Sequence, residues 1–317
     1  MPTCLKNDAS HAATLSVRWP RDRRWTVAGA LLIGSVLLCG CSESRVKQQL
    51  ADVEAAKQLR ATLVSTATES GTGDAGAAAS TGSGWGTLQG RFVYAGTPGD
   101  SKPLMVDKDT EVCTKDGVKL LDRSLLVDPS TKGLASVVVF ARKASRVKNP
   151  TPPDAPLLFD QKYCEFITPV FAARVGQAVD VHNSDTVGHN TNISGSSFNQ
   201  LIPAGQGTLY KPDAETGMPT MVTCNIHPWM KAYAVFRKDG YVAVSTADGS
   251  FTIPDLPAGE PLELQVWHER STGPSGALVI DKSELKWNSK GRFQVKLEAD
   301  EVKDIGTIEV PSSALGG

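Results

Sequence analysis

The chain has 317 residues, enough for two modest domains, and a nearly balanced charge of -1. The first forty residues carry five basic and two acidic side chains, which leaves 28 basic against 32 acidic in the remainder. No basic field of the kind that holds nucleic acid is present, so a nucleic-acid partner is excluded.

The N-terminus reads as an export signal. Arg18, Arg21, Arg23 and Arg24 precede an apolar run from Val27 to Cys39 that is short for a transmembrane helix. The run ends in Leu38-Cys39-Gly40-Cys41, which resembles the lipobox of bacterial lipoproteins. That resemblance implies a signal peptide over 1–40 and lipidation of Cys41. The mature protein would then be a membrane-anchored lipoprotein facing the periplasm or cell surface. An ordinary signal peptide or an uncleaved anchor is the alternative, and Arg23-Arg24 hints at twin-arginine export.

Residues 42–69 repeat Val46, Leu50, Val53, Leu59 and Leu63 at roughly helical spacing, so a helical stalk is expected there. Residues 70–84 hold no large apolar side chain and read as a flexible Gly/Ala/Ser linker. From Trp85 the texture is all-β. Strands are expected over 86–94, 125–127, 135–141 and along the alternating stretch 174–183, a rhythm that argues a β-sandwich over 85–237. A second, smaller β-sandwich is expected over 238–317, with strands near 241–246, 251–253, 262–267, 292–297 and 305–310. Turns at Asp248-Gly249 and Pro257-Ala258-Gly259 separate some of them.

One stretch concentrates metal chemistry: Cys224-Asn225-Ile226-His227-Pro228-Trp229-Met230. A thiolate, an imidazole and a thioether within seven residues are part of the donor set of a copper electron-transfer site, which also needs a second His. His189 follows the alternating strand, where a side chain can turn towards another loop. His182 lies mid-strand on the polar face, so His189 is the preferred ligand. Met218 and Met221 are rival thioethers. With the signal removed and Cys41 lipidated, Cys113, Cys164 and Cys224 remain. The simplest arrangement is a Cys113–Cys164 disulfide with Cys224 held as a metal thiolate.

The strand ending at Asn183, the His189-Asn190 pair and Cys224-x-x-His227-x-x-Met230 together resemble the cupredoxins, or type 1 blue copper proteins, of the amicyanin and plastocyanin kind. The larger chain is similar to exported proteins labelled methylamine-utilisation or plastocyanin-like. Residues 241–269 resemble carboxypeptidase-regulatory-like domains with a transthyretin-like sandwich. The resemblance implies a Greek-key sandwich holding one type 1 copper between His189, Cys224, His227 and Met230. Asn183 and Asn190 would brace the site, and Pro228 and Trp229 would form an apolar docking face beside His227. It implies an electron carrier rather than an enzyme, serving a dehydrogenase or cytochrome. Two other readings compete: a surface binding or adhesion module with a structural or vestigial copper site, and copper storage or delivery. His268-Glu269 reads as a hydrogen-bonded structural pair, and Asp107-Lys108-Asp109 as a solvated charged loop.

Overall fold

The structure is a computed structural model that describes residues 83–317. The export signal, Cys41, the stalk over 42–69 and nearly all of the linker lie outside the described residues. Among the described residues, no helix is long and apolar enough to cross a membrane.

The strands in chain order begin with β1 (Trp85–Ala95), β2 (Val138–Ala141), β3 (Leu157–Lys162), β4 (Glu165–Phe166), β5 (Val170–Arg174) and β6 (Val179–Asn183). Then come β7 (His189–Ile193), β8 (Asn199–Ile202), β9 (Gly207–Tyr210), β10 (Thr220–Thr223) and β11 (Lys231–Arg237). The last are β12 (Val242–Val244), β13 (Ser250–Pro257), β14 (Pro261–Trp267), β15 (Arg292–Lys296) and β16 (Val302–Pro311). A single turn of α-helix, α1 (Thr110–Cys113), interrupts the long segment between β1 and β2.

Two β-sandwiches result. One combines the sheets β4-β3-β6-β9 and β5-β11-β10-β7-β8 around Phe159, Phe166, Phe171, Val181, Val222 and Phe236. It carries the candidate ligands and is called the site sandwich here. The companion sandwich combines β13-β1-β16 and β12-β2-β14-β15 around Leu88, Phe92, Val139, Ile253, Leu264 and Phe293.

The expected boundary at 237/238 does not follow the strand pairing. β1 runs antiparallel to β13 and parallel to β16, and β2 lies between β12 and β14. Both strands therefore belong to the companion sandwich, although they precede the site sandwich in sequence. The cause is burial: Leu88 and Phe92 on β1 have no apolar exposure and find their partners in Ile253, Phe251 and Ile308. The Asp248-Gly249 turn closes onto β1. Gly249 sits at φ +85°, where a Cβ would lie 1.9 Å from the Phe92 carbonyl oxygen, so glycine is required there.

Other local expectations shift for similar reasons. The stretch 174–183 is two strands rather than one, because Gly176 turns the chain at φ +85° between β5 and β6. Residues 125–127 contribute only an isolated bridge from Val127 to Leu134.

The sandwiches meet sheet to sheet through Val138, Phe140, Val170, Val235 and Trp267. Successive β-residues point to opposite faces, so β2 uses Val139 and Ala141 inside the companion core and Val138 and Phe140 at this junction. β11 likewise sends Ala232, Ala234 and Phe236 into the site core and Val235 to the junction. Arg237 crosses the junction, donating to the Ala141 carbonyl at 2.9 Å with its guanidinium 5.0 Å from the Phe140 ring centroid. The Phe140→Ala variant should lose about 3–5 kcal/mol of unfolding free energy in denaturant melts, because it opens a cavity and uncovers a buried cation. A loss below about 1 kcal/mol would show that the junction contributes little.

Candidate metal centre

The register of β7 and β10 brings the ligands together. These strands are antiparallel, with Thr223 opposite Asn192 and Val222 opposite Ile193. Cys224, one residue beyond β10, therefore faces the start of β7, where His189 and Asn190 lie. The hairpin that joins β10 to β11 carries the remaining candidates. It is closed by Cys224 N–H to Met230 O at 3.3 Å and Met230 N–H to His227 O at 2.9 Å.

His189 and His227 are fully buried, and Cys224 and Met230 nearly so. The two Nδ1 atoms stand 2.9 Å apart, and the Cys224 sulfur is 3.8 Å from Nδ1 of His227. All three residues offer donor atoms within 4.8 Å of one another. Met230 shares the site core with Cys224. His182 lies on β6 away from this group, Met221 is exposed, and Met218 packs at the sandwich junction.

The outer nitrogen of each imidazole meets a carboxylate. Nε2 of His189 is 2.7 Å from Asp185 Oδ2, and Nε2 of His227 is 2.8 Å from Asp109 Oδ2. A carboxylate accepts, so the Nε2 of each ring carries a proton and Nδ1 is the atom turned inward. Two Nδ1 atoms and a thiol sulfur this close repel unless a proton or cation lies among them. Their chemistry, a soft sulfur with two imidazoles, fits copper or zinc and not a hard cation.

The thiol is tuned for that role. Burial raises its pKa, but His189 and the backbone N–H groups of Asn190, His227 and Ile226 outweigh burial and bring Cys224 down to about 6. The N–H of Asn190 reaches the sulfur at 3.3 Å and that of His227 at 3.4 Å. Burial opposes charge on His189 too, yet Asp185 and Cys224 raise it above the ordinary histidine value. Asp185 is lowered despite burial, through His189 and the N–H groups of Cys164 and Tyr163.

Two asparagines brace the site. Asn183 donates to Val187 O and Ile202 O and accepts from Asp185 N–H, which shapes the loop presenting Asp185 and His189. Asn190 accepts from Asn225 N–H at 3.2 Å and donates to Asn199 and Gln200, tying the ligand hairpin to β8.

Asp185 also accepts from Tyr163 and Cys164 N–H, each at 2.7 Å. These residues form the two-residue turn between β3 and β4, at φ +57° and +53°. Such a turn prefers Asn-Gly, and here the carboxylate holds two non-glycine residues in the left-handed region. Cys164 is disulfide-bonded to Cys113 at the end of α1, and its carbonyl accepts from Trp229 Nε1 at 3.0 Å.

Neither Asp109 nor Asp185 is expected at the site from sequence. Asp109 does not belong to a merely solvated loop, since its carboxylate reaches the buried His227. At the expected docking residues Pro228 is exposed and Trp229 half-buried, while His227 lies beneath Asp109. Pro228 and Trp229 line a cleft of about 240 Å³ whose other walls are both apolar (Leu104, Phe166) and charged (Arg123, Glu165).

His268 and Glu269 are not a pair. Glu269 bonds Lys231 on β11 at 2.9 Å, which links the sandwiches. His268 is buried, accepts at Nδ1 from Arg270 N–H, and leaves Nε2 without a hydrogen-bond partner. Burial holds His268 down at about 4, against 6.5 in an unfolded chain. The unfolded chain therefore takes up this proton first as pH falls. The stability contribution is intact above 6.5 and is lost progressively towards pH 4, by roughly 3 kcal/mol. His268→Gln should flatten the fall in unfolding free energy across that window; an unchanged slope would place the titration elsewhere.

No protein-family model matches the chain, and no curated protein does. Among solved structures it is similar to the Cu-containing nitrite reductase (NirK) from Thermus scotoductus SA-01, at 17% identity over 30% of this chain and TM-score 0.24. The chain spans 25% of that reductase's length. It is also similar to amicyanin, in a reduced Cu(I) mutant form at pH 4, with 19% identity over 29% of this chain and 97% of that one, at TM-score 0.23. A second amicyanin mutant, in its Cu(I) form, gives 18% identity over 30% of this chain and all of the other, at TM-score 0.24.

Proposed function

We propose that the chain is an exported, membrane-tethered copper protein that carries single electrons. The observation that carries this reading is the buried convergence of Nδ1 of His189, Nδ1 of His227 and the sulfur of Cys224. Met230, on the same hairpin and in the same core, would complete the set as a weak axial donor. A thioether there favours copper over zinc, which prefers Cys, His or carboxylate. Bound copper would supply reversible exchange between Cu(I) and Cu(II).

The protein's own part is to keep the donors still. Cys224, His227 and Met230 sit on one short hairpin locked by its own backbone bonds, and Asn190 fastens that hairpin to β8. Donors that cannot move cost little to reorganise when charge changes. The N–H groups aimed at the Cys224 sulfur draw charge from it and favour its thiolate form. Burial of both imidazoles excludes water. Four protein donors leave no open position for a substrate, which supports a carrier over a catalyst.

The partner is a redox protein, a dehydrogenase or cytochrome. It docks at the Pro228–Trp229 cleft, because the Trp229 ring stands 5.0 Å from His227. A lipid on Cys41 and the linker over 70–84 hold the site above the membrane, on the periplasmic or outer side. Copper should bind one to one, and a potentiometric titration should show a single reversible one-electron step. Cys224→Ser should abolish that step, and Met230→Gln should lower its potential. Partner binding that survives Cys224→Ser, with no reversible step in the wild type, would make the protein an adhesion module.

A further inference from the structure

We propose that Asp109 is a positioning residue for this centre: a carboxylate delivered from outside the site sandwich that fixes the tautomer and orientation in which His227 presents Nδ1 to the metal. The inference rests on the copper reading above. Three independent features carry it.

The first is where the Asp109 side chain goes. Asp109 is the N-cap residue of α1, a position where Asp usually accepts from the backbone of its own helix. Its side chain makes no such bond. Oδ2 is directed instead at Nε2 of His227, 118 residues away in sequence, at 2.8 Å. The Asp109 backbone sits at φ +46°, in the left-handed region, which residues other than glycine adopt at a cost.

The second is how the arm is held. The Asp109 carbonyl accepts from Val112 and Cys113 N–H, and Cys113 is joined to Cys164. Cys164 N–H bonds Asp185, and Asp185 bonds His189. A continuous chain of bonds thus runs from His189 through Asp185, Cys164, Cys113 and Asp109 to His227. The disulfide sulfurs themselves lie within 4.8 Å of a His227 ring nitrogen. Each candidate imidazole ligand has one carboxylate behind it, and one turn ties the two carboxylates together.

The third is exposure. The His227 side chain is fully buried, whereas that of Asp109 is 43% exposed. Asp109 is the rim group that covers the outer edge of the ring. A carboxylate hydrogen-bonded behind a ligating imidazole places negative charge next to the site, which favours the more highly charged metal. Asp109 should therefore strengthen binding of Cu(II) more than of Cu(I) and lower the reduction potential.

The test compares Asp109→Gly, Asp109→Asn and Asp116→Gly in the otherwise intact protein. Glycine accepts a positive φ, so Asp109→Gly removes the carboxylate without straining the arm. Asp109→Asn keeps an acceptor but not the charge. Asp116 sits on the same arm at φ +58°, is exposed, and serves as the control for a lost charge. Three quantities are read: Cu(II) affinity by chelator competition, reduction potential, and the His227 tautomer by ¹⁵N NMR of the metal-free protein. Asp109→Gly should lose about 10- to 100-fold in Cu(II) affinity, shift the potential upward, and mix the His227 tautomers. Asp109→Asn should fall between it and the wild type, and Asp116→Gly should match the wild type. Asp109→Gly with the affinity, potential and tautomer of Asp116→Gly would overturn the assignment. If the wild type takes up no copper, the copper reading fails, and the tautomer in the metal-free protein still decides the role of Asp109.

Discussion

Two imidazole Nδ1 atoms and a thiol sulfur converge inside the protein, and much of the surrounding structure follows from that. Such a group repels itself and is costly to bury unless each polar atom has a partner. The partners are present in order. Asp185 and Asp109 take the outer nitrogens, the N–H groups of Asn190 and His227 point at the sulfur, and Asn183 and Asn190 fix the loops that deliver them. The inner atoms are left facing one another, an arrangement that a proton or a cation among them would stabilise.

The Tyr163–Cys164 turn ties these partners together. Two consecutive left-handed residues without glycine are a strained choice for a hairpin turn. The strain is offset by Asp185, which accepts from both N–H groups, and by the disulfide to Cys113. The same turn receives the Trp229 indole. The sandwich junction adds stiffness from the other side. β11, which leaves the ligand hairpin, has one face in the site core and the other against β2 and β14, and Glu269 grips Lys231 at its first residue. The hairpin is therefore anchored at its root by both sandwiches.

The candidate ligands were legible because three of them share one short loop, and because His189 follows a strand whose alternation is plain. The all-β class was legible from the same alternation and from turn residues such as Asp248-Gly249. The allocation of strands was not. The strand expected over 135–141 is present as β2, buried along its length, but nothing local says that its neighbours are β12 and β14. The parallel pairing of β1 with β16 likewise joins the two ends of the described chain. The roles of Asp109 and Asp185 are not legible for a related reason: an Asp beside Asp107 and Lys108 looks like any solvated loop, and its partner lies 118 residues away. The disulfide was the available clue. A Cys113–Cys164 bond, once expected, requires the 104–120 segment to lie on the site sandwich, and Leu104, Val112 and Leu120 pack there.

The most direct measurement is the visible and EPR spectrum of the protein loaded with one equivalent of Cu(II). A buried Cys224 thiolate with two inward Nδ1 donors predicts an intense thiolate-to-Cu(II) charge-transfer band and narrow copper hyperfine splitting, both lost in Cys224→Ser. Weak bands and wide splitting of ordinary tetragonal Cu(II), unchanged by Cys224→Ser, would contradict it.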